Sequence, residues 1–175
     1  MAVLEAIKSR REITSYYDRV IEKDTLEKVI DAAYFAPSGN NLPSKDVIAV
    51  TNSDKLASLA ETTPFMKWCK DAKAAIVITG RPDVSKYWLQ DASIAAGYTW
   101  LEAIEQGLGA AFGAVYHAED QQESERRESH ARKVLDIPDD RRVVAILGLG
   151  YQDQTLKPKK HLPREEIVHY ENFSK

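Results

Sequence analysis

Cysteine is almost missing from this chain of 175 residues: there is one, Cys69. A single thiol cannot close an internal disulfide, and no Cys/His spacing offers a zinc site. Long apolar runs are missing too. The longest, around residues 74–80 and 143–151, are strand-length and fall far short of the ~18 residues a membrane span needs. Neither sign of charge is in excess, with 24 Lys and Arg against 27 Asp and Glu, a net −3. Such a balance leaves no electrostatic footprint for nucleic acid or an anionic membrane. Near the N-terminus, Glu5, Lys8, Arg10 and Arg11 stand where a secretory signal would need an apolar core. The expectation is a cytoplasmic protein with no membrane partner, no nucleic-acid partner and no metal. Internal repeats and low-complexity linkers are also absent.

What is there suits one globular domain spanning 1–175. Apolar residues make up 43% of the chain, and a chain of this length buries roughly 70% of its unfolded surface. Val3, Leu4 and Ile7 share a helix face that ends at Ser9-Arg10-Arg11. Asp24 or Thr25 can cap a second helix, with Leu26, Val29, Ile30 and Ala33 as its apolar face and Pro37 as its stop. Residues 47–51 read as a strand, and Ser53 caps a short helix after it. Residues 64–70 suit another helical turn, and 74–79 a buried strand. The longest helical pattern is 85–106, with Gly107 placed as its C-cap. A strand at 110–116, a charged exposed helix at 118–134 and a buried strand at 142–148 follow. From Gln152 onward the chain is a basic, proline-containing tail. About four apolar strands with helices on both sides give an α+β layer fold.

Several features have two readings. Trp88, Ala92, Ala95, Ala96, Thr99 and Ala103 make a small-residue stripe, either core packing or a helix shared across a two-fold axis. Gly107, Gly109 and Gly113 follow a helix, and Gly148 and Gly150 lead into no helix, so neither set is a dinucleotide fingerprint. Cys69 reads as a small buried hydrophobe, and His117, His130 and His169 as surface or structural residues. Phe65, Trp68 and Phe112 fit core packing better than a pocket lining. Arg10 and Arg11 near one end, and Lys157, Lys159, Lys160 and His161 near the other, could converge on a phosphate, although helix-end and solvated-tail roles explain them as well. The run Ala36-Pro37-Ser38-Gly39-Asn40-Asn41 is the densest set of turn formers. It reads as a plain connection, or as a polar edge for a flat ring.

Taken in order, these motifs resemble the FMN-dependent nitroreductase family. The carrying segments are Arg10-Arg11 after an amphipathic helix and Ala-Pro-Ser-Gly-Asn-Asn before a strand. They continue with the stretch from Asp91 to Gly109, then Leu147-Gly-Leu-Gly-Tyr, and finally a Lys-rich segment leading to Leu162-Pro163-Arg164-Glu165-Glu166-Ile167-Val168. The resemblance covers nearly the whole chain. It implies a mostly antiparallel sheet of about four or five strands flanked by helices. It also implies a long central helix at a homodimer interface and a tail, 152–175, packed on the partner subunit. It implies FMN, with NADH or NADPH as transient donor and a nitroaromatic or quinone as acceptor, used in turn by a ping-pong mechanism. The flavin carries the chemistry, so no catalytic side chain is expected. Carried over residue by residue, Arg10, Arg11, Lys159 and His161 belong with the FMN phosphate and ribityl chain, and Pro37, Ser38 and Asn41 along the ring. Gly113 and Ala114 belong at the N5 edge. Thr14 stands where the family has Arg or Lys, and Glu12 where it has Ser. Other uses of the same fold are an FMN carrier or sensor without turnover, reductive dehalogenation, and oxidation of a metabolite.

Overall fold

The computed structural model describes residues 2–173. Its elements are α1 (Val3–Ser9), α2 (Lys23–Tyr34), β1 (Lys45–Val50), α3 (Ser53–Leu59), β2 (Ala74–Gly80), α4 (Trp88–Glu105), β3 (Gly109–Ala114), α5 (Gln121–Leu135) and β4 (Arg142–Gly150), with 3-10 turns at Gly39–Asn41, Pro64–Asp71 and Arg164–Glu166. The four strands form one sheet in the order β1-β2-β4-β3. Every neighbouring pair in it is antiparallel. This is the α+β arrangement expected from the run of strands and helices.

Apolar alternation along the two central strands decides which layer goes where. Ala74, Ile76 and Ile78 of β2, with Leu147 and Leu149 of β4, face α2 and α4. Ala75, Val77 and Ile146 face α3, α5 and the 64–71 turn. Both faces are covered, so all seven residues of β2 are buried. A bulge between Ile78 and Thr79 shifts the register with β4. As a result Val144 joins the first layer while Val143 belongs to the second.

The small-residue stripe of α4 resolves as core. Ala92, Ala95, Ala96, Thr99 and Ala103 are fully buried within this chain, where their size lets the helix lie close on the sheet. The opposite face of α4 is exposed at Ile94 and Tyr98, as are Val3, Leu4 and Ile7 of α1. Four helix starts differ from expectation: α4 and α5 each begin three residues late, at Trp88 and Gln121, and α2 and α3 differ at their caps. α2 begins two residues early, after Glu22 and without a side-chain cap. α3 is capped by Asn52, whose side chain accepts from Lys55 N, instead of by Ser53. Both Asn52 and Ser53 can cap, and the N–H that closes the turn picks one. Gly107 does end the α4 turn, at a φ of +75° that glycine adopts without strain.

α5 is less exposed than its charge suggests. Glu128 is fully buried. Its carboxylate accepts from Ser124 Oγ at 2.8 Å, Arg142 Nε and Nη2 at 2.9 and 2.7 Å, and Val143 N at 2.9 Å. Arg132 lies 3.5 Å away. A sequence pattern cannot show such a residue, because its partners come from another element. A buried carboxylate is tolerated when paired and hydrogen-bonded, and removing one partner strands the others. Glu128→Ala is therefore expected to cost about 3–5 kcal/mol of unfolding free energy, as urea denaturation would measure. Replacing Lys67 of the exposed Lys67–Glu61 pair should leave the urea midpoint in place.

Cys69 is buried and unpaired, and burial pushes its thiol up to about 12. The native protein should resist a thiol reagent at pH 8 and react at once in denaturant. Fast native labelling would contradict the packing.

Candidate functional site

The site candidates fall into two groups. The first is built on the outer edge of β3. A segment after α1 runs along that edge, with a parallel bridge between Glu12 and Ala110 and a bond from Ile13 N to Ala110 O. Its other side meets the start of the tail, through Tyr17 N to Tyr151 O and Asp153 N to Ser15 O. Gln154 completes the join. Its Oε1 accepts from Thr14 N at 3.1 Å, and its Nε2 donates to the Glu12 carbonyl at 3.2 Å. Thr14 thus sits at the base of the segment that carries Lys159 and His161. Those two lie in extended, irregular chain, Lys159 half-buried and His161 exposed.

Arg10 and Arg11 diverge at the end of α1. The Arg10 guanidinium lies 4.3 Å over the Trp100 ring, and Trp100 stacks in turn on Phe112 of β3 at 5.7 Å. Arg11 turns back, its Nη1 donating to the carbonyls of Lys8, Ser9 and Arg10. Its Nε is buried without a partner, and so is Trp100 Nε1. Buried side-chain donors are nearly always paired. Two unpaired ones beside a pair of arginines are what a site for an external acceptor, such as a phosphate oxygen, looks like.

Glu12 is the group the family pattern does not foresee. Its Oε1 accepts from Phe112 N at 2.9 Å and so occupies a backbone donor of the β3 edge. Loss of solvent pushes its carboxyl above the usual carboxylate range, and the Phe112 N–H and Arg10 only partly offset this. Gly113 follows, buried, where an added Cβ would strike Met66 at 2.5 Å. Ala114 beside it is exposed. Phe65 departs from the core reading, since it is 82% exposed.

The second group is the turn between α2 and β1. Pro37, Ser38 and Asn41 border a cleft of about 730 Å³, which Tyr34, Phe35, Leu42 and Lys45 also line. None of Arg10, Arg11, Thr14, Gly113, Ala114, Lys159 or His161 is in that lining. Within one chain these two groups stay separate, since no residue of the first lines the cleft of the second. Lys45, which the sequence did not single out, donates to the Ala36 carbonyl at 2.8 Å. Burial depresses its ammonium pKa, and Asp91 offsets part of the effect. No group of His, Cys, Asp or Glu among the described residues could hold a metal ion. His117 and His130 serve the backbone, His117 Nδ1 accepting from Asp120 N and His130 Nε2 lying 2.8 Å from Ser58 O.

The raised Glu12 carboxyl makes a pH prediction. A carboxyl whose folded pKa exceeds its unfolded value favours the fold below about pH 4.5, and that contribution is lost as pH rises through the folded pKa. Glu12→Gln does not ionise. Its melting temperature relative to the unmodified chain should therefore climb between pH 4.5 and 7. A flat difference would mean that the carboxyl is not desolvated.

Comparison with known proteins agrees with this architecture. The model of the nitroreductase family matches residues 7–63. A protein of Methanothermobacter thermautotrophicus bearing the provisional name NADH dehydrogenase/NAD(P)H nitroreductase is 36% identical over 154 residues, which is 86% of this chain and 78% of that one. A protein of Archaeoglobus fulgidus with the same provisional name is 34% identical over 85% of this chain and 84% of its own. The solved structure of an FMN-dependent nitroreductase from Clostridium difficile superposes with a TM-score of 0.87 at 32% identity, covering 97% of this chain and 99% of that one. With likeness of this extent in both sequence and fold, the chain belongs to the nitroreductase family.

Proposed function

We propose that the chain binds FMN and passes electrons from NADH or NADPH to a small acceptor, a nitroaromatic or a quinone, one partner after the other at a shared site. As a nitroreductase-family member it is an oxidoreductase, and relatives carry names for NAD(P)H-linked and FMN-linked activity. The observation that supports the reading is a basic, donor-rich edge around Arg10 and Arg11, with a separate turn-lined cleft at Pro37, Ser38 and Asn41. Bound FMN supplies the electron exchange. The protein's part is to hold it: Arg10, Arg11, Lys159 and His161 toward the phosphate, Thr14 near the ribityl chain, Pro37, Ser38 and Asn41 along the ring, and the backbone at Gly113 and Ala114 at its N5 edge.

The two half-sites lie apart in one chain, which supports a homodimer that completes each site across its interface, the whole chain forming one FMN-binding unit. Two surfaces suit such contact. One is a groove between α1 and α4, lined by Val3, Ala6, Tyr98 and Leu101 with Ala32 of α2 and edged by Glu102 and Glu105. The other is the tail beyond residue 152, which exposes Leu162, Ile167, Tyr170 and Phe173 and in our reading packs on the partner. No described helix is long and apolar enough to cross a membrane.

Three measurements test this. The purified protein should be yellow or bind FMN in titration, with Arg10→Ala/Lys159→Ala weakening binding by several kcal/mol as charge-assisted contacts to the phosphate are lost. Light scattering should give twice the 19.7 kDa of the chain. Steady-state NAD(P)H oxidation at several quinone concentrations should give parallel double-reciprocal lines, because one ring face cannot stack donor and acceptor together. Converging lines would refute the shared site. FMN binding without NAD(P)H oxidation would favour a carrier.

A further inference from the structure

The turn 37–41 is held in an unusual shape. Asn40 and Asn41 both have positive φ, 55° and 56°, in the left-handed region that non-glycine residues visit rarely. Asn tolerates that region better than most residues, yet two in succession persist only where the surroundings fix them. The turn's own bonds, Asn41 N to Ser38 O and Leu42 N to Gly39 O, are local and weak constraints.

The fixing group comes from α4. Asp91 is only 4% exposed. Its Oδ1 accepts from Gly39 N at 3.0 Å, and its Oδ2 from Ser44 Oγ at 2.5 Å. One carboxylate thus ties the middle of the turn, at Gly39, and the chain just beyond it, at Ser44, to the sheet-packed helix. Gly39 is pressed against the same helix end, where an added Cβ would meet the Tyr87 ring at 2.6 Å. Lys45, just after Ser44, anchors the other side through the Ala36 carbonyl.

We infer that Asp91 is a positioning residue for the cofactor: by clamping Gly39 and Ser44 it holds the 37–41 turn in the shape that meets the flavin ring. This rests on the FMN-binding reading above. Asp91 does not touch the ring in this proposal; it acts through the turn. One carboxylate accepts both bonds; an alanine at 91 would accept neither, whereas an amide could keep the Gly39 bond and donate to the Ser44 hydroxyl in place of the other.

The test compares the full-length wild-type chain with Asp91→Ala, Asp91→Asn and Ser44→Ala. The readouts are the FMN dissociation constant, the positions of the bound flavin's visible absorbance bands, amide exchange at Gly39 without flavin, and melting temperature. Asp91→Ala is expected to raise the dissociation constant at least tenfold, to shift the flavin bands and to speed Gly39 exchange. Asp91→Asn and Ser44→Ala, which can keep the Gly39 bond, should move the same readouts less. A lower melting temperature with unchanged flavin affinity, bands and Gly39 exchange in Asp91→Ala would reduce Asp91 to ordinary packing and overturn the proposal. A wild-type chain that binds no FMN would overturn the cofactor reading itself. In that case faster Gly39 exchange in Asp91→Ala would still identify the clamp, and unchanged exchange would remove it as well.

Discussion

The pairing of β2 with β4 is the constraint from which the rest of the molecule follows. Both strands are paired on both edges and covered on both faces, so their backbone polar groups are satisfied in the ladder and their side chains can be almost wholly apolar. A sheet built this way fixes α4 on one side and α5 on the other. It also leaves β1 and β3 as the two outer strands, where the chain has freedom to vary. The candidate site uses both. The β3 edge is lined by the segment around Glu12 and Ile13, and β1 is entered through the turn that borders the cleft.

Those two edges are where polar groups are arranged in uncommon ways. At β3, a glutamate takes a strand N–H, and an arginine, a tryptophan and a phenylalanine stack in a row. At β1, an aspartate from a helix reaches across to tie down a turn with two left-handed residues. Both arrangements cost free energy through desolvation or backbone strain. A fold with a well-packed centre can carry such costs at its margins, and functional sites are the usual place for them.

Much of the fold was legible because period and punctuation were clear. The strand at 74–80 is a continuous apolar run, and α4 carries its stripe and its terminal glycine. The class of the fold and the order of elements follow from that. Glu128 was not legible, since α5 reads as a charged surface helix and only the approach of Arg142 from β4 explains a carboxylate inside it. Among site residues, the turn 37–41 stood out by composition, and Arg10 and Arg11 by charge. Asp91 and Lys45 did not, because an aspartate early in a helix and a lysine at a strand start have everyday explanations. A signal existed for Asp91 only in the resemblance, which begins its central-helix segment at that residue without saying what it does. Exposure of Phe65 could not be read either. An aromatic beside Pro64 in a short turn packs inward or outward according to the neighbouring Met66, which takes the buried place.

The unpaired donors sharpen the reason why the site looks unfinished in one chain. Among the described residues, three side-chain nitrogen or oxygen atoms are buried without a hydrogen-bond partner, and two of them, Arg11 Nε and Trp100 Nε1, belong to the basic edge. Leaving such a group without a partner costs about 1–3 kcal/mol, a large share of a small protein's net stability. Arg10 acts on the Glu12 carboxyl beside it, whose hydrogen bond goes to Phe112 N. An anionic ligand with several acceptor oxygens would satisfy the orphan donors and suit the two arginines together, whereas a neutral apolar ligand would do neither. The physical demand of the edge and the phosphate of the proposed cofactor therefore match in sign and in hydrogen-bonding role. In the proposed reading, Glu12 works against that match as a carboxylate close to the phosphate end, and binding then leans more on the ring contacts assigned to the 37–41 turn and its Asp91 clamp.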